Sequence, residues 1–263
     1  MHTLISSTDN RGVLTLIMDR PEVRNAFDAA MIRELTFALR TADDSDAIRI
    51  VVITGSGSCF SAGADLNWMR SQVNASLEEN ESDALQLAEL MRSLNYLSKP
   101  TIARINGAAF GGGLGLIAAC DITIAIDTAR FGLTEARLGL APAVISPYVI
   151  RRIGEGAARR YFQSGERFDS EQALDIGLIQ QSVSAAQLDE TVDDMIRQLL
   201  MGGPMALTHC KQLVFEITGH DKESQKSIDE RTARRIARLR VSDEGQEGLT
   251  AFLEKRKPGW IDH

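Results

Sequence analysis

Short apolar runs and longer amphipathic stretches alternate through the first half of the chain. Residues 12–18 (GVLTLIM) are rich in β-formers and stop at Asp19-Arg20-Pro21. Residues 28–43 carry Met31, Ile32, Leu35 and Leu39 at the i, i+3, i+4 spacing of one helix face. Residues 48–54 (IRIVVIT) are almost continuously apolar, the pattern of a strand covered on both faces of its sheet. Residues 84–97 return to helical spacing through Leu87, Leu90, Met91, Leu94 and Leu97, and residues 101–106 and 121–126 predict further strands. The recurring β-β-α order predicts the α/β class. Residues 71–83 are polar and glutamate-rich, which predicts a mobile loop or frayed helix start, either plain surface or a lid over a site.

Beyond about residue 200 the strand patterns stop. Gly202-Gly203-Pro204 breaks the chain, and residues 205–218, 222–240 and 243–254 predict three helices, the last with a plausible N-cap. Three such helices bury little apolar surface by themselves, so they are expected to pack on the core or on another subunit. The chain is therefore divided into a core over residues 1–200 and a helical region over residues 201–263.

Two glycine-containing segments each follow a strand. One is Gly111-Gly112-Gly113-Leu114-Gly115, leading into the apolar stretch 114–119; the other runs from Gly55 to Leu66 behind the IRIVVIT strand. Without Cβ atoms a ligand approaches the backbone closely, and the N–H groups at a helix start are unpaired donors. Two such turns side by side can present two main-chain N–H groups to one oxygen, the construction of an oxyanion hole. No Lys-Ser/Thr follows the glycines, so this is not a P-loop, and GGGLG is not in register with a dinucleotide fingerprint.

Composition narrows the partners. The 263 residues are 44% hydrophobic with a net charge of −7, which disfavours nucleic acid. The basic stretch 231–240 is flanked by acids and reads as a solvated helix face rather than an RNA-binding patch. Cys59, Cys120 and Cys210 are odd in number and scattered, consistent with a reducing compartment. His2, His209, His220 and His263 show no metal-ligand spacing, and the two terminal ones are expected at the surface. No secretory pattern and no membrane-length apolar run is visible, so a cytoplasmic protein is expected, with no metal and no membrane partner.

The motifs together resemble the crotonase superfamily, the enoyl-CoA hydratases and isomerases. The resemblance is carried by RPEVRNAF (20–27), FSAGADL (60–66), NGAAFGGGLGL (106–116), CDITIA (120–125), ARFGLTEARLGLAP (129–142), GERFDSEQALDIGLI (165–179) and EGLTAFLEKRKP (247–258). It spans essentially the whole chain. It implies a spiral of ββα units, a C-terminal helical trimerisation region and self-association as a trimer or hexamer. It implies an acyl-CoA thioester as substrate, with coenzyme A as part of that substrate and no separate cofactor. The family's two oxyanion-hole amides fall on Ala64 and Gly112. Arg24 and Ala26, with Val23, and Ala64, Asp65, Leu66 and Asn67 fall along the CoA. Phe252 and Lys255 match positions that cover the adenine end, often from a neighbouring subunit.

Hydratases of the family commonly use two glutamates. One falls on Glu135; the other falls on Gly115, which has no side chain. A single carboxylate is normal for members that shift a double bond, so a Δ3–Δ2 enoyl-CoA isomerase is the rival reading. A non-catalytic acyl-CoA-binding scaffold is a third. GADLNWM, GGGLGLIAACDI and LGLAPAVISPYV resemble the methylglutaconyl-CoA and isohexenylglutaconyl-CoA hydratase branch, which also carries glycine at the first-glutamate position. That resemblance implies hydration of a branched or carboxylated enoyl-CoA, as in leucine breakdown. Glu135 alone, the substrate's own carboxylate, or a contact from Ser146 or Tyr148 are the available ways to activate water. A distal carboxylate needs a cation, for which Arg70, Arg137, Arg151 and Arg152 are candidates. Trp68 and Met69 are candidates for the acyl pocket or for the core.

Overall fold

A computed structural model describes residues 3–261, so His2 and His263 lie outside the described residues. The elements in chain order are β1 (Leu4–Thr8), β2 (Val13–Met18), α1 (Ala29–Asp43), β3 (Ile50–Gly55), β4 (Cys59–Ser61), α2 (Leu66–Val73) and α3 (Leu77–Asn95). Next come β5 (Thr101–Ile105), β6 (Ala108–Phe110), α4 (Gly112–Ala119), β7 (Ile122–Ile126), β8 (Arg130–Gly132) and α5 (Ser146–Ser164). The chain finishes with β9 (Arg167–Asp169), α6 (Ser170–Asp175), β10 (Gln181–Val183), α7 (Leu188–Leu200), α8 (Pro204–Ile217), α9 (Lys222–Arg240) and α10 (Asp243–Leu253).

One sheet has six strands in the order β1-β2-β3-β5-β7-β10, and a second has four in the order β4-β6-β8-β9. The pairs β3/β4, β5/β6 and β7/β8 each give one strand to each sheet before a helix carries the chain on. This is the expected ββα spiral. Strands β2 to β10 of the large sheet run parallel, and β1 joins its edge antiparallel.

The unbroken apolar run of β3 is explained by packing on both faces. Val51 and Ile53 face the main core with Ala103, Ile105 and Ala125. Ile50 and Val52 face a second layer with Ile102, Ile124 and the α7 residues Leu188, Val192 and Ile196. The expected stripe of α1 is fully buried through Met31, Ile32, Leu35 and Leu39, and Asp28 caps the helix by accepting from the Met31 N–H at 2.8 Å.

Of the two expectations for the polar segment 71–83, a mobile loop or a helix start, the structure supports the helix start. The segment holds the end of α2, a short turn and the first turns of α3. A reciprocal capping box starts α3, Ser76 Oγ accepting from the Glu79 N–H and Glu79 Oε2 from the Ser76 N–H. Its glutamates therefore sit where the helix dipole favours negative charge.

The three C-terminal helices are placed differently from one another. α9 packs along α3, and α10 lies against the turn Glu135–Leu138, so both are built into the core. α8 is tied down by Thr208 Oγ1 to Ser98 O (2.8 Å) and Lys211 to Asp121 (2.9 Å), yet leaves Met205, Leu213, Val214 and Ile217 exposed. Among the described residues, no helix is long and apolar enough to cross a membrane.

Candidate active site

The two glycine turns meet. An ideal Cβ on Gly63 would lie 3.1 Å from the Phe110 carbonyl oxygen and 3.8 Å from Gly111 Cα. Gly63 and Gly111 both need positive φ, +89° and +50°, which L side chains rarely adopt. At Gly111 a Cβ would also stand 3.2 Å from Glu135 Oε1, so the carboxylate lies directly over the second turn.

Phe27 holds both turns in place. Its N–H donates to Gly63 O at 2.7 Å and its carbonyl accepts from the Asp65 N–H at 2.8 Å. This parallel bridge uses the groups on either side of Ala64 and turns the Ala64 N–H away from it. The Phe27 ring fills the space beside Gly112, where a Cβ would meet it at 2.7 Å. The Gly112 N–H opens α4 and has no intrahelical acceptor. Neither N–H donates to a protein group among the described residues. Phe27 was not singled out from the sequence, although it closes the RPEVRNAF segment.

Glu135 opens a 3-10 turn, half-buried as a residue, with Oε2 fully buried and without a partner. Loss of hydration pushes its pKa up from 4.5 to about 7. Close packing by α10 fixes this turn, since a Cβ on Gly139 would be 2.5 Å from Glu244 O and one on Gly248 would be 2.3 Å from Leu138 O. A carboxyl with this pKa exchanges a proton in either direction near neutrality.

The other family position is filled by hydrocarbon. A Cβ on Gly115 would lie 2.4 Å from Ile145 Cγ2, 3.0 Å from Ile145 Cβ and 3.1 Å from Met91 Cε. A second carboxylate therefore has no room there unless Ile145 moves.

Phe27, the two glycine turns, Glu135 and Ile145 line one cavity of about 930 Å³, whereas Gly115 and Met91 are not on its wall. Of the residues expected to contact substrate, Arg24, Ala26, Ala64, Asp65, Leu66, Asn67, Gly112, Glu135 and Phe252 are on its wall, with Val23, Trp68 and Met69. Lys255 is not; Arg256 and Lys257 are there instead. The Asp65 carboxylate is turned inward, capping α2 through the Asn67 and Trp68 N–H groups and pairing with Arg20 at 3.0 Å. Arg24 and Asn25 adopt the left-handed φ of +56° and +54°. Two such residues in succession cost about 1–3 kcal/mol each. Asn25 offsets this with four side-chain hydrogen bonds, its Nδ2 donating to Ser56 O and Cys59 O and its Oδ1 accepting from the Arg20 N–H and Ser56 Oγ. The result presents Arg24 at the cavity wall.

Other candidates fall elsewhere. Ser146 Oγ donates to Ala143 O, and the buried Tyr148 hydroxyl sits among Tyr96, Asp229, Arg92 and Arg151; neither residue is on the cavity wall. Arg151 is in that same cluster, and Arg152 donates to Cys120 O and Asp121 O. Arg70 and Arg137 do reach the wall, Arg70 donating to Asn67 Oδ1 at 2.8 Å. The sequence reading missed Arg240, a buried cation on the wall. Most of the basic stretch is a solvated face, with Arg231, Arg234, Arg235 and Arg238 exposed, but Arg240 continues the buried stripe of Ala233, Ile236 and Ala237. That spacing was its available signal. Among the described residues no cluster of three or more His, Cys, Asp or Glu is gathered to hold a metal.

Residues 8–263 match the model of the enoyl-CoA hydratase/isomerase family. The chain belongs to that family. It is 32% identical to the 2,3-dehydroadipyl-CoA hydratase of Escherichia coli K12, over 98% of both chains. It is 32% identical to the crotonyl-CoA hydratase of Syntrophomonas wolfei, over 94% of this chain and 93% of that one. The crystal structure of an enoyl-CoA hydratase from Shewanella pealeana is 44% identical with a TM-score of 0.80, covering 98% of this chain and 96% of that one. An enoyl-CoA hydratase from Mycobacterium avium superposes at a TM-score of 0.85 with 36% identity over 99% of each. The fold is therefore crotonase-like, and family membership implies an acyl-CoA substrate.

Proposed function

We propose that the protein adds water across the double bond of an enoyl-CoA, with a branched or carboxylated acyl group of the methylglutaconyl-CoA type. The observation that carries this reading is the junction of two unpaired N–H groups, from Ala64 and Gly112, with a buried carboxyl raised to about 7 at Glu135. The thioester oxygen accepts from both N–H groups. Ionised Glu135 takes a proton from water as its oxygen bonds to the β-carbon. The C=C electron pair moves to the thioester oxygen, and Glu135 returns the proton to the α-carbon. Each oxyanion donor of this kind is worth about 3–4 kcal/mol in the transition state.

Arg24, Ala26, Asp65, Leu66 and Asn67 are assigned to the CoA, and Phe252 and Lys255 to its adenine end in a neighbouring subunit. The exposed apolar side chains of α8 suit a subunit interface, in keeping with a trimer or hexamer and with residues 201–263 as the oligomerisation region. A cytoplasmic location fits this substrate.

The hydrocarbon at Gly115 favours a second reading, a Δ3–Δ2 isomerase in which Glu135 moves one proton from the α- to the γ-carbon. Mass spectrometry separates the two. Hydration of 3-methylglutaconyl-CoA, with a straight-chain 3-enoyl-CoA left unchanged, supports the hydratase. Mass-neutral conversion of the 3-enoyl-CoA, without hydration of the other, replaces it with the isomerase.

A further inference from the structure

Arg240 is a buried cation that the protein itself leaves under-bonded. It is 7% exposed, at the C-terminal end of α9. Among the described residues only Nη1 has partners, Asn80 O and Asn80 Oδ1, both at a long 3.4 Å. Nε is buried with no acceptor. Burial lowers the pKa to about 10, which still leaves the side chain charged at neutrality.

Asp83 is the nearby carboxylate, yet it forms no ion pair with Arg240 among the described residues. Asp83 Oδ2 instead accepts from Trp68 Nε1 at 2.7 Å and Gln72 Nε2 at 3.2 Å. The Arg240 main chain is held separately, the Gln246 side chain donating from Nε2 to Arg240 O at 2.7 Å. A buried guanidinium with spare donors is costly unless an anion completes it.

Arg240 lines the same cavity as Ala64, Gly112 and Glu135. Its guanidinium is met by the neutral Asn80 oxygens alone, and no ion pair completes it among the described residues. We infer that Arg240 receives the distal carboxylate of a dicarboxylic acyl-CoA, making this cavity selective for acyl chains that end in an anion. The inference deepens the proposed function and rests on an acyl-CoA occupying the cavity. It moves the anion contact from Arg70 and Arg137, which are at exposed positions, to a desolvated position where a charge-assisted pair is strong.

The test is equilibrium binding, by calorimetry, of two unreactive probes, glutaryl-CoA and butyryl-CoA, to the parent protein and to Arg240→Met and Arg240→Gln. Both substitutions remove the charge, and the glutamine keeps polar contact with Asn80 should the methionine variant not fold. Loss of glutaryl-CoA affinity by at least about 30-fold, with butyryl-CoA within about threefold, is expected. Equal losses for both probes, or no loss for either, overturn the assignment. Because neither probe reacts, selective binding lost with Arg240 supports the inference even if the protein hydrates nothing. Hydration of an uncharged enoyl-CoA with no such selectivity rejects the inference while leaving the activity intact.

Discussion

Two corners of the molecule, Glu135 on the cavity wall and Gly115 packed against Ile145, occupy positions where hydratases of this family commonly carry a pair of glutamates. The Glu135 corner is polar, dry and strained toward protonation, with its carboxyl raised to about 7 and one oxygen unpartnered. At the Gly115 corner, Ile145 and Met91 close over a helix with no side chain. The difference shows that the second glutamate is absent in volume as well as in sequence. On the proposed function, one carboxyl and the two N–H groups near it carry the chemistry.

The largest expected effect comes from removing the polar corner. Glu135→Gln should lower kcat by roughly 10²–10⁴ while leaving circular dichroism unchanged. Restoring the second carboxylate should fail for want of space. Gly115→Glu is expected to destabilise by at least about 3 kcal/mol in denaturant unfolding, since it overpacks Ile145 and buries a charge. Adding Ile145→Ala should recover part of that loss.

The polar corner also has a stability cost with a definite pH sign. The folded state holds the Glu135 proton up to about pH 7, whereas the unfolded chain releases it near 4.5. The native state binds more protons in that window, so stability falls as pH rises through it. Glu135→Gln should therefore be more stable than the parent at pH 8, by up to the order of 3 kcal/mol, with the gain vanishing below pH 4.5. The smallest change, Ile145→Val, should cost about 1 kcal/mol and alter kcat only a few-fold, because it trims the hydrocarbon corner without supplying a base.

The sequence made the two corners legible to different degrees. Periodicity identified α1, β3 and the body of α3 because each has a long, regular apolar pattern, whereas α5 and α7 were not predicted. Strands of three residues, such as β4, β6, β8, β9 and β10, are too short to carry a period and went unseen. α2 was hidden, and the start of α3 left open between loop and helix, because their signals are caps and acidic residues rather than an apolar stripe. Glu135 was identifiable by motif, but its dry surroundings were not, since they depend on distant glycine turns and α10 converging on it. Gly115 revealed a missing carboxylate; only packing showed Ile145 in its place. Arg240 was masked by the solvated arginines before it in α9.

The most direct test of a single-carboxyl hydratase uses 3-methylglutaconyl-CoA in heavy-oxygen water, with the parent protein and Glu135→Gln side by side. The parent product should gain one water carrying the heavy oxygen, and the glutamine variant, correctly folded, should yield almost none. A mass-neutral product from the parent, or equal hydration by both proteins, would contradict this expectation.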